Sequence, residues 1–286
     1  MLYDGIDLVI LPVSDLAAAS AQFERLGLVV SPVQVNQSRG SAFRMIPVGG
    51  PDNLFCVELL STAEGNTTTP FAQSHAALAD RGLSQINLRV ADLSSALATL
   101  AEKGIKPATR ITGGQGADQY DIAILDLPPD AATTLALIQW SQSTAERHAA
   151  FASQGQHTFP LKRLDHLAAV APDLETSCQY WDQTLGVPTV GEVISPVVVV
   201  RQVKIGDAIF ELLGPSTPDS PIRQRPPGLG SSCSFEVPDL AAAIAQARAA
   251  GFEVPDHRIG TLPGTIVTQI SADQLSGLTM QLLQYT

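Results

Sequence analysis

The chain has 286 residues, 45% hydrophobic and 16% charged, which is enough apolar material for two ordinary cores and too much for a disordered segment. Its net charge of −11 argues against nucleic acid or an anionic membrane as partner, since either needs a basic surface. Cys56, Cys178 and Cys233 lie far apart with no C-x-x-C pair, so buried reduced thiols are expected and neither a disulfide framework nor a zinc ribbon is.

The first element is an apolar strand in "GIDLVILPVSDLA", residues 5–17. No basic segment precedes it, and Asp7 and Pro12 break its apolar run, so neither a secretory signal nor a membrane span is expected and a cytoplasmic location is. A helix follows from Asp15, with Leu16, Ala19, Phe23 and Leu26 on one face and Gly27 after its last turn. The same Asp-Leu opening recurs at Asp92, Asp173 and Asp239, and the glycines Gly27, Gly104, Gly186 and Gly251 follow their aspartates after 12, 12, 13 and 12 residues. Aspartate suits an N-cap and glycine the left-handed position that ends a helix, so four short amphipathic helices are predicted.

Each helix is preceded by a short apolar strand: "IDLVILPV", "LSQINLRV", "LDHLAAVA" and "SSCSFEV". Strand-like segments follow it, in the third copy "PTVGEVI", "VVVVRQVKI" and "AIFELL". The chain therefore reads as a β-α-β-β-β module written four times, an α+β fold. Between the second and third copies, residues 141–162 are polar and lack strand character, with room for a helical turn or two near Ala145–Ala152. This segment is the expected linker between domains at 1–140 and 163–286.

The repeated module, and in the C-terminal half the segments "LDHLAAVAPDLE", "IGDAIFELLGPSTPDSPI" and "GLGSSCSFEVPDLAAAIAQARAAGF", make the chain resemble the vicinal oxygen chelate superfamily. That superfamily includes glyoxalases, bleomycin-resistance proteins and extradiol dioxygenases, and the C-terminal half is most similar to methylmalonyl-CoA epimerase. The resemblance implies modules paired into two curved-sheet domains, and a divalent metal (Mn, Fe, Co, Ni or Zn) held by side chains from the first and fourth strands of paired modules. It implies a small-molecule substrate or ligand, no nucleotide cofactor, and a monomer or homodimer.

Counting back seven residues from each capping aspartate gives Leu8, Gln85, His166 and Ser232 as first-strand ligand positions. The "ELL"-like segments give Glu58, Gln139, Glu211 and Gln281 on the fourth strands. Sequential pairing places His166, Glu211 and Gln281 in the C-terminal domain as metal ligands, and leaves a degenerate N-terminal set because Leu8 cannot bind a metal. Pairing of the second and third modules across the linker would instead gather Gln85 and Gln139 with His166 and Glu211. Glu192 in "VGEVI" is the candidate general base, and Arg223 and Arg225 in "PIRQRPPG" are candidates to meet an anionic substrate. His75, His148, His157 and His257 fall in loops or the linker and read as solvated. "TGGQG" at 112–116 lacks the Lys-Ser/Thr of a phosphate loop. The function expected is a metal-assisted lyase, isomerase or dioxygenase acting on neighbouring oxygens. The alternative is metal-free sequestration of a small molecule.

Overall fold

A computed structural model describes residues 2–37, 39–66 and 68–286. The first module runs β1 (Gly5–Pro12), α1 (Leu16–Leu26), β2 (Gln34–Asn36), β3 (Ser41–Val48) and β4 (Phe55–Thr62), followed by a short helix α2 (Pro70–Ala76). The second comprises β5 (Gln85–Arg89), α3 (Leu93–Glu102), β6 (Lys106–Gly113), β7 (Tyr120–Asp126) and β8 (Leu135–Trp140), and α4 (Thr144–Ala152) lies in the segment after it. The third has β9 (Arg163–Val170), α5 (Leu174–Gln179), β10 (Thr189–Ile194), β11 (Val198–Ile205) and β12 (Ala208–Pro215). The fourth has β13 (Gly228–Glu236), α6 (Leu240–Ala249), β14 (Arg258–Ile259), β15 (Thr265–Ile270) and β16 (Thr279–Tyr285). The strands form two curved eight-stranded sheets, β2-β3-β4-β1-β5-β8-β7-β6 and β10-β11-β12-β9-β13-β16-β15-β14. Neighbouring modules in sequence thus share a sheet.

The helix signals hold at all four sites. The carboxylates of Asp15, Asp92, Asp173 and Asp239 accept from the backbone N–H three residues on at 2.8–2.9 Å. Gly27, Gly104, Gly186 and Gly251 all take positive φ, between 75° and 98°. The thirteenth residue of the third copy is accommodated in the helix itself, which widens after α5 into a π turn over Tyr180–Thr184, closed by Leu185 N–H donating to Tyr180 O at 3.0 Å. Trp181 on that turn is fully buried against Phe210 of β12, with ring centroids 4.8 Å apart.

By contact density the chain divides into two compact units. One comprises Met1–Asp7, Gln85–Ser141 and Asp165–Gly230, the other Leu8–Ser84, Gln142–Leu164 and Ser231–Thr286. The first buries Ile86, Leu88, Leu137, Trp181 and Phe210, and the second Phe23, Leu26, Phe55, Phe159 and Phe235. All three cysteines are free and buried.

Two histidines expected to be solvated are built into the second unit. His75 belongs to α2, is 6% exposed, and its Nε2 lies 2.9 Å from Val13 O. In the segment after α4, His157 Nδ1 accepts from Val29 N–H at 2.8 Å while Nε2 donates to Pro47 O. The linker is therefore pinned to the first module, and Thr158 and Phe159 N–H also donate to Gly27 O. Only neutral imidazole satisfies both His157 bonds, and burial holds its pKa below the ordinary 6.5, against the raising effect of the Pro47 carbonyl. The unfolded chain binds the proton first as pH falls, so stability is fully present above the unfolded value and drops as pH falls through and below about 6.5. Urea unfolding across pH 5–8 is expected to show this slope, and His157→Gln to reduce it.

Candidate functional site

The C-terminal candidates sit in one face of the third module. In β9 the half-buried His166, Ala168 and Val170 alternate with the buried Leu167 and Ala169. The parallel register sets Ile209 beside His166 and Glu211 beside Ala168, so His166 and Glu211 project from the same side. The antiparallel register of β11 sets Gln202 beside Glu211, and Gln202 Nε2 donates to Glu211 Oε1 at 3.0 Å. His166 Nε2 lies 4.0 Å from Glu211 Oε2. On the other side of the ring, Asp165 Oδ1 accepts from His166 Nδ1 at 2.8 Å. An ionised carboxylate only accepts, so Nδ1 carries the proton and the Nε2 lone pair is turned toward Glu211.

The two residue types suit a divalent ion. Bonds of about 2.1 Å at tetrahedral or cis-octahedral angles set the donor atoms roughly 3.0–3.4 Å apart, so the side chains would close in from the 4.0 Å separation to share one ion. A carboxylate behind the imidazole is the usual support for a metal-binding histidine, because it fixes the tautomer and raises the basicity of the other nitrogen. Among the described residues, no group of three His, Cys, Asp or Glu side chains is placed to hold a metal. Further positions would therefore fall to an amide or to water.

Register identifies the equivalents in the other modules. Glu58 pairs with Ile10 as Glu211 pairs with Ala168, and Leu8, fully buried, takes the place of His166. In the fourth module Gln281 pairs with Ser234 and accepts from its hydroxyl at 2.6 Å, while Ser232 holds the first-strand position. In the second module the residue beside Asn87 is Ala136, so the fourth-strand position is alanine. Gln139 lies three residues further on, and its Oε1 accepts from Leu93 N–H at 2.8 Å, capping α3. Gln284 does the same for α6 through Leu240 N–H, also at 2.8 Å. Assigning Gln139 to a ligand position is therefore corrected. Gln85 is 8% exposed and donates through Nε2 to Asn87 Oδ1 at 2.6 Å.

Glu192 is also displaced from its expected place. It pairs in register with Arg201, which lies beside Leu212, on the face opposite Glu211. Its carboxylate is in an ion pair with the Arg201 guanidinium, and that charge lies close enough to Cys178 of α5 to influence its thiol. Glu192 thus faces the helix, away from His166 and Glu211. Arg223 and Arg225 are exposed around the short turn Pro221–Gln224 before β13. Asp165 and Gln202 join the site without having been singled out in the sequence. An aspartate directly before a first-strand histidine is a usable signal for the former, whereas the latter needs the register of a hairpin.

A family model described as "Glyoxalase-like domain" matches residues 6–163, more than half of the chain. The chain belongs to the vicinal oxygen chelate superfamily. A second model, "Glyoxalase/Bleomycin resistance protein/Dioxygenase superfamily", matches residues 165–267. Among solved structures, a 4-hydroxymandelate synthase mutant from Streptomyces coelicolor is 14% identical and covers 100% of this chain and 94% of its own, with a TM-score of 0.66. That establishes the same fold for this vicinal oxygen chelate protein. Methylmalonyl-CoA epimerase from Streptomyces coelicolor, in complex with 2-nitronate-propionyl-CoA, is 23% identical, covering 44% of this chain and 96% of its own, with a TM-score of 0.40. The epimerase from Mycobacterium tuberculosis is 22% identical, covering 47% and 95%, with a TM-score of 0.42. No curated protein matches this sequence. No helix among the described residues is long and apolar enough to cross a membrane.

Proposed function

We propose that this is a vicinal oxygen chelate enzyme, a lyase, isomerase or dioxygenase, acting on a small molecule with two neighbouring oxygens. The observation that carries the reading is the Asp165–His166–Glu211 chain, an oriented imidazole facing a carboxylate held by Gln202. His166 and Glu211 would hold a divalent metal, with water completing the shell; Gln281 holds the fourth-module position equivalent to Glu211. When bound, such an ion polarises adjacent substrate oxygens. Asp165 keeps the proton on Nδ1, and Gln202 keeps one carboxylate oxygen engaged so that Oε2 is the one turned to His166. The N-terminal sheet, with Leu8 and Ala136 at ligand positions, has no corresponding set and serves as a structural or ligand-binding partner. In this reading residues 1–140 and 163–286 act as the two domains and 141–162 as the linker. Arg223 and Arg225 are retained as candidates for an anionic substrate group.

Elemental analysis of untagged protein, reconstituted with Mn, Fe(II), Co, Ni or Zn, tests this. One metal per chain is expected, with binding abolished by His166→Ala and by Glu211→Ala, and affinity lowered about 10- to 100-fold by Asp165→Asn. Retention would justify screening hemithioacetals, acyl-CoA thioesters and catechols. Every metal washing off would overturn the metalloenzyme reading. It would favour metal-free sequestration, to which Ser232 and the Ser234–Gln281 hydrogen bond already point.

A further inference from the structure

Among the described residues each sheet ends in two edge strands, β2 and β6 in one and β10 and β14 in the other. An edge strand presents a row of unpaired backbone N–H and C=O groups that invites pairing with another chain, and proteins guard such edges with brevity, proline or basic side chains. β2 has three residues and β14 two. β6 is long, but it carries Lys106, Pro107 and Arg110. β10 lacks these guards. Its six residues, "TVGEVI", include no proline, lysine or arginine, and its one carboxylate, Glu192, is neutralised by the ion pair with Arg201. A bulge between Thr189 and Gly191 interrupts only its start. Its apolar side chains also stand in water, with Val190 57% exposed, Ile194 67%, and Val197 of the following turn 51%.

The hairpin register fixes which backbone groups face outward. Ser195 N–H donates to Val198 O at 2.9 Å, so that pair is hydrogen-bonded. Bonded and non-bonded pairs alternate along an antiparallel ladder, so Val193–Val200 and Gly191–Gln202 are bonded as well. The N–H and C=O of Glu192 and Ile194 therefore point away from β11, to the open side of the sheet. An antiparallel copy of the same strand could meet them about a two-fold axis in three ways. An axis at Glu192 sets two like charges opposite each other, which is destabilising. An axis at Ile194 sets Glu192 opposite Pro196, which has no N–H to give. An axis at Val193 sets Glu192 of each chain opposite Ile194 of the other, so that each pair exchanges two backbone hydrogen bonds. This third register also brings Val190 alongside Pro196 of the second copy and Val197 alongside Thr189, and lays Ile194 over the neutralised Glu192–Arg201 pair. One strand is thus complementary to itself, as a two-fold interface requires.

We propose that the β10 edge is a homodimer interface, two copies of this chain pairing β10 antiparallel about a two-fold axis at Val193. It stands independently of the metal reading. The test is sedimentation of the full chain over a concentration series at about 0.15 M salt, where a Debye length of about 8 Å screens the net charge of −11 on each copy. The mass is expected to rise with concentration from that of one chain to that of two. Ile194→Lys, at an exposed position, should abolish the dimer with the circular dichroism unchanged, whereas Val35→Lys on the β2 edge should leave it intact. The register has its own readout. Val193 faces its copy in a non-bonded pair, where Cα atoms lie about 4.5 Å apart, inside the disulfide range of about 4.4–6.8 Å. Val193→Cys treated with diamide is therefore expected to give a cross-linked dimer, and the parent, whose three cysteines are buried, none. A single chain's mass at every concentration overturns the proposal and leaves the edge to a strand of another protein. A dimer that survives Ile194→Lys, or is lost equally in Val35→Lys, also overturns it, as does absence of the cross-link at position 193.

Discussion

Asp7→Ala is expected to lower the free energy of unfolding by about 3–5 kcal/mol, as does removal of one partner from a buried ion pair. Asp7 is 0% exposed. Its Oδ1 lies 3.5 Å from Arg89 Nη1, and its Oδ2 accepts from Trp140 Nε1 at 2.9 Å. Alanine removes the Asp7 carboxylate from both the guanidinium and the indole N–H in a region largely closed to water. Asp7→Asn keeps one acceptor for Trp140 and should lose less. Urea unfolding of the three proteins decides the matter, and an alanine variant within about 1 kcal/mol of the parent would show that the carboxylate is dispensable. The equivalent position in the third module is Asp165, which receives His166 instead. One inherited carboxylate therefore organises a structural cluster in one sheet and an imidazole in the other.

Trp181→Ala should cost a similar amount, about 3–5 kcal/mol, because a fully buried indole leaves a cavity that its surroundings only partly fill. Trp181 packs at a tilt against Phe210 and donates from Nε1 to Ala131 O at 3.0 Å. Trp181→Phe keeps most of the contact and loses chiefly that hydrogen bond, so about 1 kcal/mol is expected in addition to the smaller loss of packing volume. Denaturant unfolding separates the two variants. Phe210 is also the strand neighbour of Glu211, so the alanine variant should reduce metal affinity even where the fold persists, whereas the phenylalanine variant should retain it.

The module order was legible because its signals are local. An aspartate N-cap and a left-handed glycine bracket each helix within about a dozen residues, and chain order alone records them. His166 and Glu211 were paired in the sequence through the ligand positions the resemblance implies, and it is the β9–β12 register that puts them on one side of the sheet. The place of Gln139 was not legible, because "ALIQW" resembles "FELL" in wording while the register that separates them is set by the pairing of β5 with β8. Glu192 failed for the same reason. A strand position in sequence carries no face until its hairpin partner is known, and β10 has an irregularity between Thr189 and Gly191. His75 was recoverable, since Thr69 and Pro70 form an ordinary helix start, with the Thr69 hydroxyl accepting from Ala72 N–H.

The glutamine caps belong to a series. Three residues beyond the fourth-strand ligand position, the modules carry Ser61, Gln139, Gly214 and Gln284 in turn. The two glutamines reach back to accept from the first residue of their own module's helix, whereas at Gly214 an added Cβ would lie 2.8 Å from Leu174 of α5. The position thus works as a spacer, long in the even-numbered modules and absent in the third. Ligand residues two register positions apart on neighbouring strands can be exchanged between modules one at a time. The spacer cannot, because a longer side chain in the third module would displace α5, and a glycine in the second or fourth would take the glutamine acceptor from the Leu93 or Leu240 N–H. Grafting the His166–Glu211 chemistry into the N-terminal sheet is therefore a matter of point substitutions at Leu8 and its neighbours, and not of transplanting whole modules.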